Sequence, residues 1–212
     1  MFKFIKNFQR RLATKLILTV GLTLLITIST WAYFNINYQE KKLMENIAAG
    51  TDRLTNTIKL GTHYAMMLNS RDDINQIIQN IGRQKEIETI RIYNKGGKIK
   101  YSNRPTEIDT ATNIKDEACY ICHRTDPPLS TLSLEERTRI FTSAKGYRLL
   151  GIISPICNEP GCATDACHIH PQDKKILGAL DVVVSLEDAD KEIFIAQKEA
   201  LGFSGAIFLV TS

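Results

Sequence analysis

Leu16 to Phe34 reads LILTVGLTLLITISTWAYF, nineteen residues without a charge. As an α-helix, a run of that length is long enough to cross a bilayer. Lys3, Lys6, Arg10, Arg11 and Lys15 precede it without an intervening acid. The positive-inside rule therefore puts the N-terminus in the cytoplasm, with Trp31, Tyr33 and Phe34 at the far interface. The alternative is a cleaved secretory signal, whose apolar core is shorter and ends in small residues, whereas this one ends Trp-Ala-Tyr-Phe. On either reading, the chain beyond Phe34 is exported.

The same cations account for the charge. The chain of 212 residues carries a net +4. Its first fifteen residues hold five cations and no acid, which leaves −1 for the remainder. The basic balance thus belongs to the membrane-flanking tail, and a nucleic-acid surface is not indicated. Charged residues at 24% and aromatics at 8% exclude a disordered or collagen-like chain. Near the other end, Leu201 to Val210 is a ten-residue apolar run, too short to span. It reads as the start of a second spanning helix preceded by a Lys- and Glu-rich connector, Asp188–Ala200, or as a helix packed on the domain.

Between these ends the hydrophobic period changes. Tyr38 to Leu68 has no proline, and Leu43, Ile47, Leu54, Ile58, Ala65 and Leu68 recur at spacings that mostly fit a helical stripe. A long helix is expected there, able to pair with its copy in a homodimer, then a second over Asp72–Ile81. From Thr89 the period becomes two. Ile90 and Ile92 alternate with Arg91 and Tyr93, Asn94-Lys95-Gly96-Gly97 turns, and Ile99 and Tyr101 resume. Residues 103–130 read as loop with short helix. A second hairpin is expected over Thr138–Ala144 and Tyr147–Ile156, turning at Lys145-Gly146. A fifth strand, Leu177–Leu186, carries Leu180, Val182, Val184 and Leu186 on one face. The expected class is α+β: a transmembrane helix and stalk helix leading to a PAS-like antiparallel five-stranded sheet, then an exit helix. The corresponding segments are a basic tail (1–15), the span (16–34), a helical stalk (35–86), the sheet domain (87–187) and the exit segment (188–212).

Of five cysteines and four histidines, four cysteines and three histidines fall in two clusters. Cys119-Tyr-Ile-Cys122-His123 is a C-x-x-C-H, and Cys162-Ala-Thr-Asp-Ala-Cys167-His168 has the same form with a four-residue spacer. Two thiols at this spacing can form thioethers to the vinyl groups of a haem. The histidine directly after the second thiol can then reach the iron as proximal ligand. The expected cofactors are two c-type haems, with Cys119, Cys122, Cys162 and Cys167 as attachment points and His123 and His168 on iron. Two alternatives remain open on the sequence. Zinc can take the four motif cysteines as a thiolate site, which leaves both histidines unexplained, and disulfides suit an exported domain. His63 on the long helix and His170 near His168 are candidate distal iron ligands, as are Met66 and Met67, although helix methionines are commonly core. Cys157 is the remaining thiol and receives no role; burial at a strand end is the ordinary fate of such a residue.

With the anchor, the hairpin Thr89-Ile-Arg-Ile-Tyr-Asn-Lys-Gly-Gly-Lys-Ile, the segment Glu117–His123, the stretch Ile156–Pro171 and Leu177–Leu186 together, the chain resembles a known group. It is similar to periplasmic c-type haem sensor domains at the front of bacterial sensor histidine kinases and chemoreceptors. The resemblance implies a PAS-like fold in the periplasm on a bacterial inner-membrane anchor, dimerisation through the long helices, and a cytoplasmic output module. It also implies detection of redox state or of a small haem ligand such as NO, CO or O2. The rival reading is a membrane-anchored multihaem cytochrome that passes electrons from a quinol to a redox partner. No nucleophile–base pair, phosphate-binding glycine loop or kinase motif occurs in these residues, so no catalytic residue is named.

Overall fold

A computed structural model describes residues 2–126, 128–129, 131–159 and 175–211. The chain forms α1 (Phe2–Met67), α2 (Arg71–Ile81), β1 (Ile87–Asn94), β2 (Ile99–Ser102), a single 3-10 turn (Pro105–Glu107), α3 (Glu117–His123), α4 (Leu134–Arg137), β3 (Thr138–Thr142), β4 (Arg148–Cys157), β5 (Ile176–Ser185) and α5 (Glu187–Thr211). It divides into two compact units. One comprises Met1–Met44 with Asp188–Ser212, the other Glu45–Glu187.

In the first unit, the early part of α1 is long and apolar enough to cross a membrane, and none of that stretch is buried within the protein. Three of its threonine hydroxyls are satisfied on the helix itself, which is what a hydrocarbon environment would require. Thr19 donates to the Lys15 carbonyl at 2.9 Å, Thr23 to Val20 at 2.9 Å and Thr27 to Thr23 at 2.8 Å. Trp31, Tyr33 and Phe34 are exposed. The C-terminal α5 is a single helix over the connector and the apolar run.

In the second unit, α1 ends in a left-handed residue, Asn69 at φ 51°. The Ser70 amide returns to the Ala65 carbonyl at 2.9 Å, which closes the last turn as a Schellman motif does. Ser70 then stands as N-cap of α2. The buried stripe of α1 differs from the one that apolar spacing predicts. Thr51, Thr55, Ile58, Thr62 and Ala65 are buried, while Leu68 is half exposed. The threonines are admitted because their hydroxyls bond back to carbonyls four residues earlier, at 2.9, 2.7 and 2.8 Å. That removes the cost of burying an unsatisfied polar group.

The five strands form one antiparallel sheet in the order β2-β1-β5-β4-β3. At the first hairpin the Asn94 side chain accepts from the Gly96 and Lys98 amides at 3.0 and 2.9 Å, and Gly97 turns at φ 74°. At the second, Gly146 turns at φ 92°. Both sheet faces are covered. On one, Ile90 and Ile92 of β1 face Val182 and Leu180 of β5, and Ile152 and Leu150 of β4 face Val182 and Val184. Ile74 of α2 and Ile92 line one cavity at the end of this layer, and Ile58, Ile74 and Ile78 are fully buried.

The other face is half ionic. Asp181, in the middle of β5, is fully buried. Arg139 of β3 grips it with two bonds of 2.9 and 3.0 Å, and Arg91 of β1 lies 3.8 Å from it. Arg91 in turn holds Glu107 at 2.7 and 2.8 Å. Replacing Asp181 by Ala leaves Arg139, in a nearly closed site, with the longer 3.5 Å contact to Glu117 in place of its two short bonds. We expect a loss of about 3–5 kcal/mol, read as faster native-state hydrogen exchange at the Val182 and Val184 amides. A loss below about 1 kcal/mol would show that the pair is solvated.

Hydrogen bonds from Arg91 hold the Glu107 carboxyl below the ordinary glutamate range. A carboxyl with a depressed folded-state pKa stabilises fully above its unfolded pKa and loses that contribution as pH falls through the folded value. Glu107→Gln should therefore cost about 1–2 kcal/mol at neutral pH and flatten the acid limb of the stability profile. Parallel acid limbs in the two proteins would refute the assignment.

Candidate functional site

Helix α3 places the first cysteine motif on the sheet. Its start is prepared by Asn113, whose side chain accepts from the Lys115 amide at 2.9 Å, while the Asn113 amide donates to Asp116 at 2.8 Å. Asp116 is the N-cap, and its carbonyl receives the Cys119 and Tyr120 amides at 3.0 and 2.8 Å. Residues three apart in a helix share a face, so Cys119 and Cys122 project together, with His123 one residue on. The helix is held by Ala118 and Ile121, which are buried with Tyr93, Ile99 and Ile153 of β1, β2 and β4.

Beside the thiols is a cavity of about 750 Å3, lined by Cys119, Cys122 and His123 from α3 and by Tyr93, Ile153 and Ala179 from the strands. Its floor follows from the register. Tyr93, Ala179 and Pro155 are direct neighbours across β1, β5 and β4, and Ala179 is small enough to leave depth between them. Strand β3 begins opposite Ile152, so Pro155 occupies a stretch of β4 with no partner on that side, where a missing amide is tolerated. Gly178 allows β5 to press on β1, since a Cβ there would stand 2.1 Å from the Tyr93 carbonyl oxygen.

The polar groups of the site are few. The Cys119 thiol lies 3.5 Å from the Thr112 hydroxyl, and both motif cysteines are half-buried free thiols. Burial, and then the neighbouring Cys119, push the Cys122 thiol pKa up. Tyr93 is pushed up by burial and then by Asp181, so it remains a neutral phenol. Glu117, first residue of α3, lies 3.5 Å from Arg139 and is also raised, mainly by burial. The motif helix thereby touches the ionic half of the face.

His63 stands apart from this group. It lines a second cavity of about 200 Å3, together with Met66, Met67 and Cys157. Its Nε2 lies 3.8 Å from Glu159. The two cavities share Tyr93, Asn94 and Gly178 as a common wall. Cys157 is exposed at the end of β4, against the expectation of burial, because the strand leaves the covered part of the sheet there. Cys162, Cys167, His168 and His170 lie outside the described residues. Among the described residues, no cluster of three or more His, Cys, Asp or Glu side chains forms a metal site.

Sequence reasoning misses Tyr93, Lys95 and Lys175 as cavity residues. The turn containing Lys95 is legible, but its position over the motif depends on pairing with β5. A raised thiol pKa makes a specific prediction for protein produced without haem-attachment machinery. The iodoacetamide alkylation rate of Cys122, followed by mass spectrometry, should rise with pH to a midpoint above that of an ordinary thiol. A midpoint at or below the free-thiol value would contradict the buried placement.

No family model matches the chain, and no curated protein matches it. Among solved structures it is similar to a domain assigned to a sensory box/GGDEF family protein of Vibrio parahaemolyticus, at 14% identity over 75% of this chain, with a TM-score of 0.46. It is also similar to the extracellular domain of a protein assigned as a histidine kinase, at 15% identity over 76% of this chain, with a TM-score of 0.45. An extracellular ligand-binding receptor of Desulfohalobium retbaense matches 65% of this chain at 12% identity and a TM-score of 0.31. The chain spans 62% and 57% of the lengths of the first two.

Proposed function

We propose that this chain is the membrane-anchored periplasmic input domain of a signalling receptor, a sensor histidine kinase or chemoreceptor, working as a homodimer. It carries c-type haem at Cys119-Cys122-His123 and at Cys162-Cys167-His168, and it responds to redox state or to a small ligand of the iron. The observation that carries this reading is the conjunction of a C-x-x-C-H helix with an apolar cavity of about 750 Å3 against its two thiols and imidazole. That volume lies within the roughly 300–1,000 Å3 range of cofactor pockets. A zinc ion bound to two thiolates would need no such space. The donor set fits haem: two thiols on one helical face for the vinyl groups and an imidazole for the iron.

When bound, the haem supplies an iron centre that changes charge on reduction and can take a diatomic ligand. The chain's own residues do the rest. Cys119 and Cys122 would hold the cofactor covalently, His123 would supply a nitrogen ligand to its iron, and Ile153, Pro155 and Ala179 would keep water from the chamber. Movement of α3 has a route to the exit strand. Glu117 meets Arg139 at 3.5 Å, and Arg139 grips Asp181 of β5. From β5 the chain continues through Leu186 into α5. A sensor of this kind requires two conformations that the signal binds with different affinity; α3 against β5 is the element we assign to that role. Glu159, which lies 3.8 Å from His63, precedes Cys162 by three positions in the chain; His63 and His170 are the two residues we propose as further ligands to iron, His170 to the first haem.

The test is a pyridine haemochrome assay on the full chain produced in a host with c-type maturation. Two haems per chain are expected. His123→Ala should retain both thioethers while converting one haem to a spectrum lacking its strong-field axial imidazole. An iron-free protein containing zinc would overturn the reading. One haem per chain, lost in the Cys119→Ala/Cys122→Ala variant, would confine it to the first motif.

A further inference from the structure

The cavity beside α3 has a charge pattern that the attachment motif does not require. Among the described residues that line it, the permanently charged side chains are Lys95 and Lys175, and no carboxylate is present. The two lysines come from different elements. Lys95 sits in the β1–β2 turn, which the Asn94 side chain clamps through the Gly96 and Lys98 amides. Lys175 directly precedes β5, and its carbonyl accepts from the Asn158 amide at 2.9 Å. Both backbones are therefore fixed where the two lysines line the cavity. A mostly apolar chamber whose described lining carries two ammonium groups and no acid suits a ligand that is apolar over most of its surface and doubly negative at its edge.

Resting on the haem reading proposed for this cavity, we infer that Lys95 and Lys175 receive the two propionate carboxylates of the haem held by Cys119 and Cys122. Each lysine is a positioning residue. It pairs with a carboxylate that would otherwise enter an apolar chamber uncompensated, and it sets the electrostatic field at the iron. Removing positive charge from the surroundings favours the more positive, oxidised iron, so the potential falls when the lysines are lost.

The experiment uses the full chain, matured with c-type haem, as the parent, as Lys95→Met/Lys175→Met and as Lys95→Arg/Lys175→Arg. The component that disappears in Cys119→Ala/Cys122→Ala identifies the first haem in a spectroelectrochemical titration. At a fixed ambient potential, the methionine variant should show a reduced-to-oxidised ratio at that haem roughly three- to tenfold below the parent's, tenfold being ~59 mV for one electron. The arginine variant should return it towards the parent value. Haem attachment that fails in the methionine variant and succeeds in the arginine variant also supports the inference. A methionine variant with full haem content and an unchanged potential overturns it and leaves the haem reading standing. A parent without haem overturns the haem reading itself.

Discussion

Asp181 is a carboxylate with no exposure to solvent in the central strand of a five-stranded sheet, and the arrangement around it organises that whole face. Burying an ion is costly unless it is paired with good geometry. Here Arg139 supplies two bonds from β3 and Arg91 a second positive group from β1. The guanidinium of Arg139 can cross β4 because Gly151 stands beneath it, where a Cβ would lie 2.6 Å away. One interaction thus ties four adjacent strands, and it tolerates little change in their register.

That constraint divides the face into two halves with different chemistry. Towards Arg91, Asp181 and Arg139 it is ionic, and Glu107 completes the set. Towards the end of β4 and the start of β5 it becomes apolar, with Tyr93, Ile153 and Ala179. Helix α3 lies across the boundary. Glu117 leans on the ionic half, and Ala118 and Ile121 sink into the apolar one. The cavity opens beyond them because no bulky side chain fills the Ala179 position and β3, which begins opposite Ile152, does not extend alongside Pro155. A chamber placed directly beside a buried ion pair is suited to passing small displacements into β5, since packed interiors respond by discrete rearrangement and not by yielding.

Much of the architecture is legible locally. The hairpins at Asn94–Gly97 and Lys145-Gly146 are readable because residues that tolerate positive φ interrupt runs of period two. The buried face of α1 is less so. Threonine scores as polar, yet Thr51, Thr55 and Thr62 satisfy themselves on their own helix, and no apolar-periodicity argument anticipates that. The α4 turn begins at the Ser133–Glu136 capping box, a signal present in the sequence but attached to too short an apolar run to stand out. Asp181 reads as the outward residue of an alternating strand. Its burial depends on Arg139, 42 positions away.

The sequence by itself determined the chemistry available at the motif. Spacings of three and four residues within one helix are set by helical geometry, so Cys119, Cys122 and His123 would converge in any fold that left Glu117–His123 helical. It also determined the apolar run of α1, whose length and lack of charge act without reference to the remainder of the chain. The tertiary structure decided what stands opposite those thiols. Strand order brings Tyr93, Ala179 and Pro155 side by side, delivers Lys95 and Lys175 to the same chamber, and puts His63 behind the wall of Tyr93 and Gly178. The reason is range. Helical spacing is a local property of the backbone, whereas a cavity is bounded by segments that meet only after the sheet has closed.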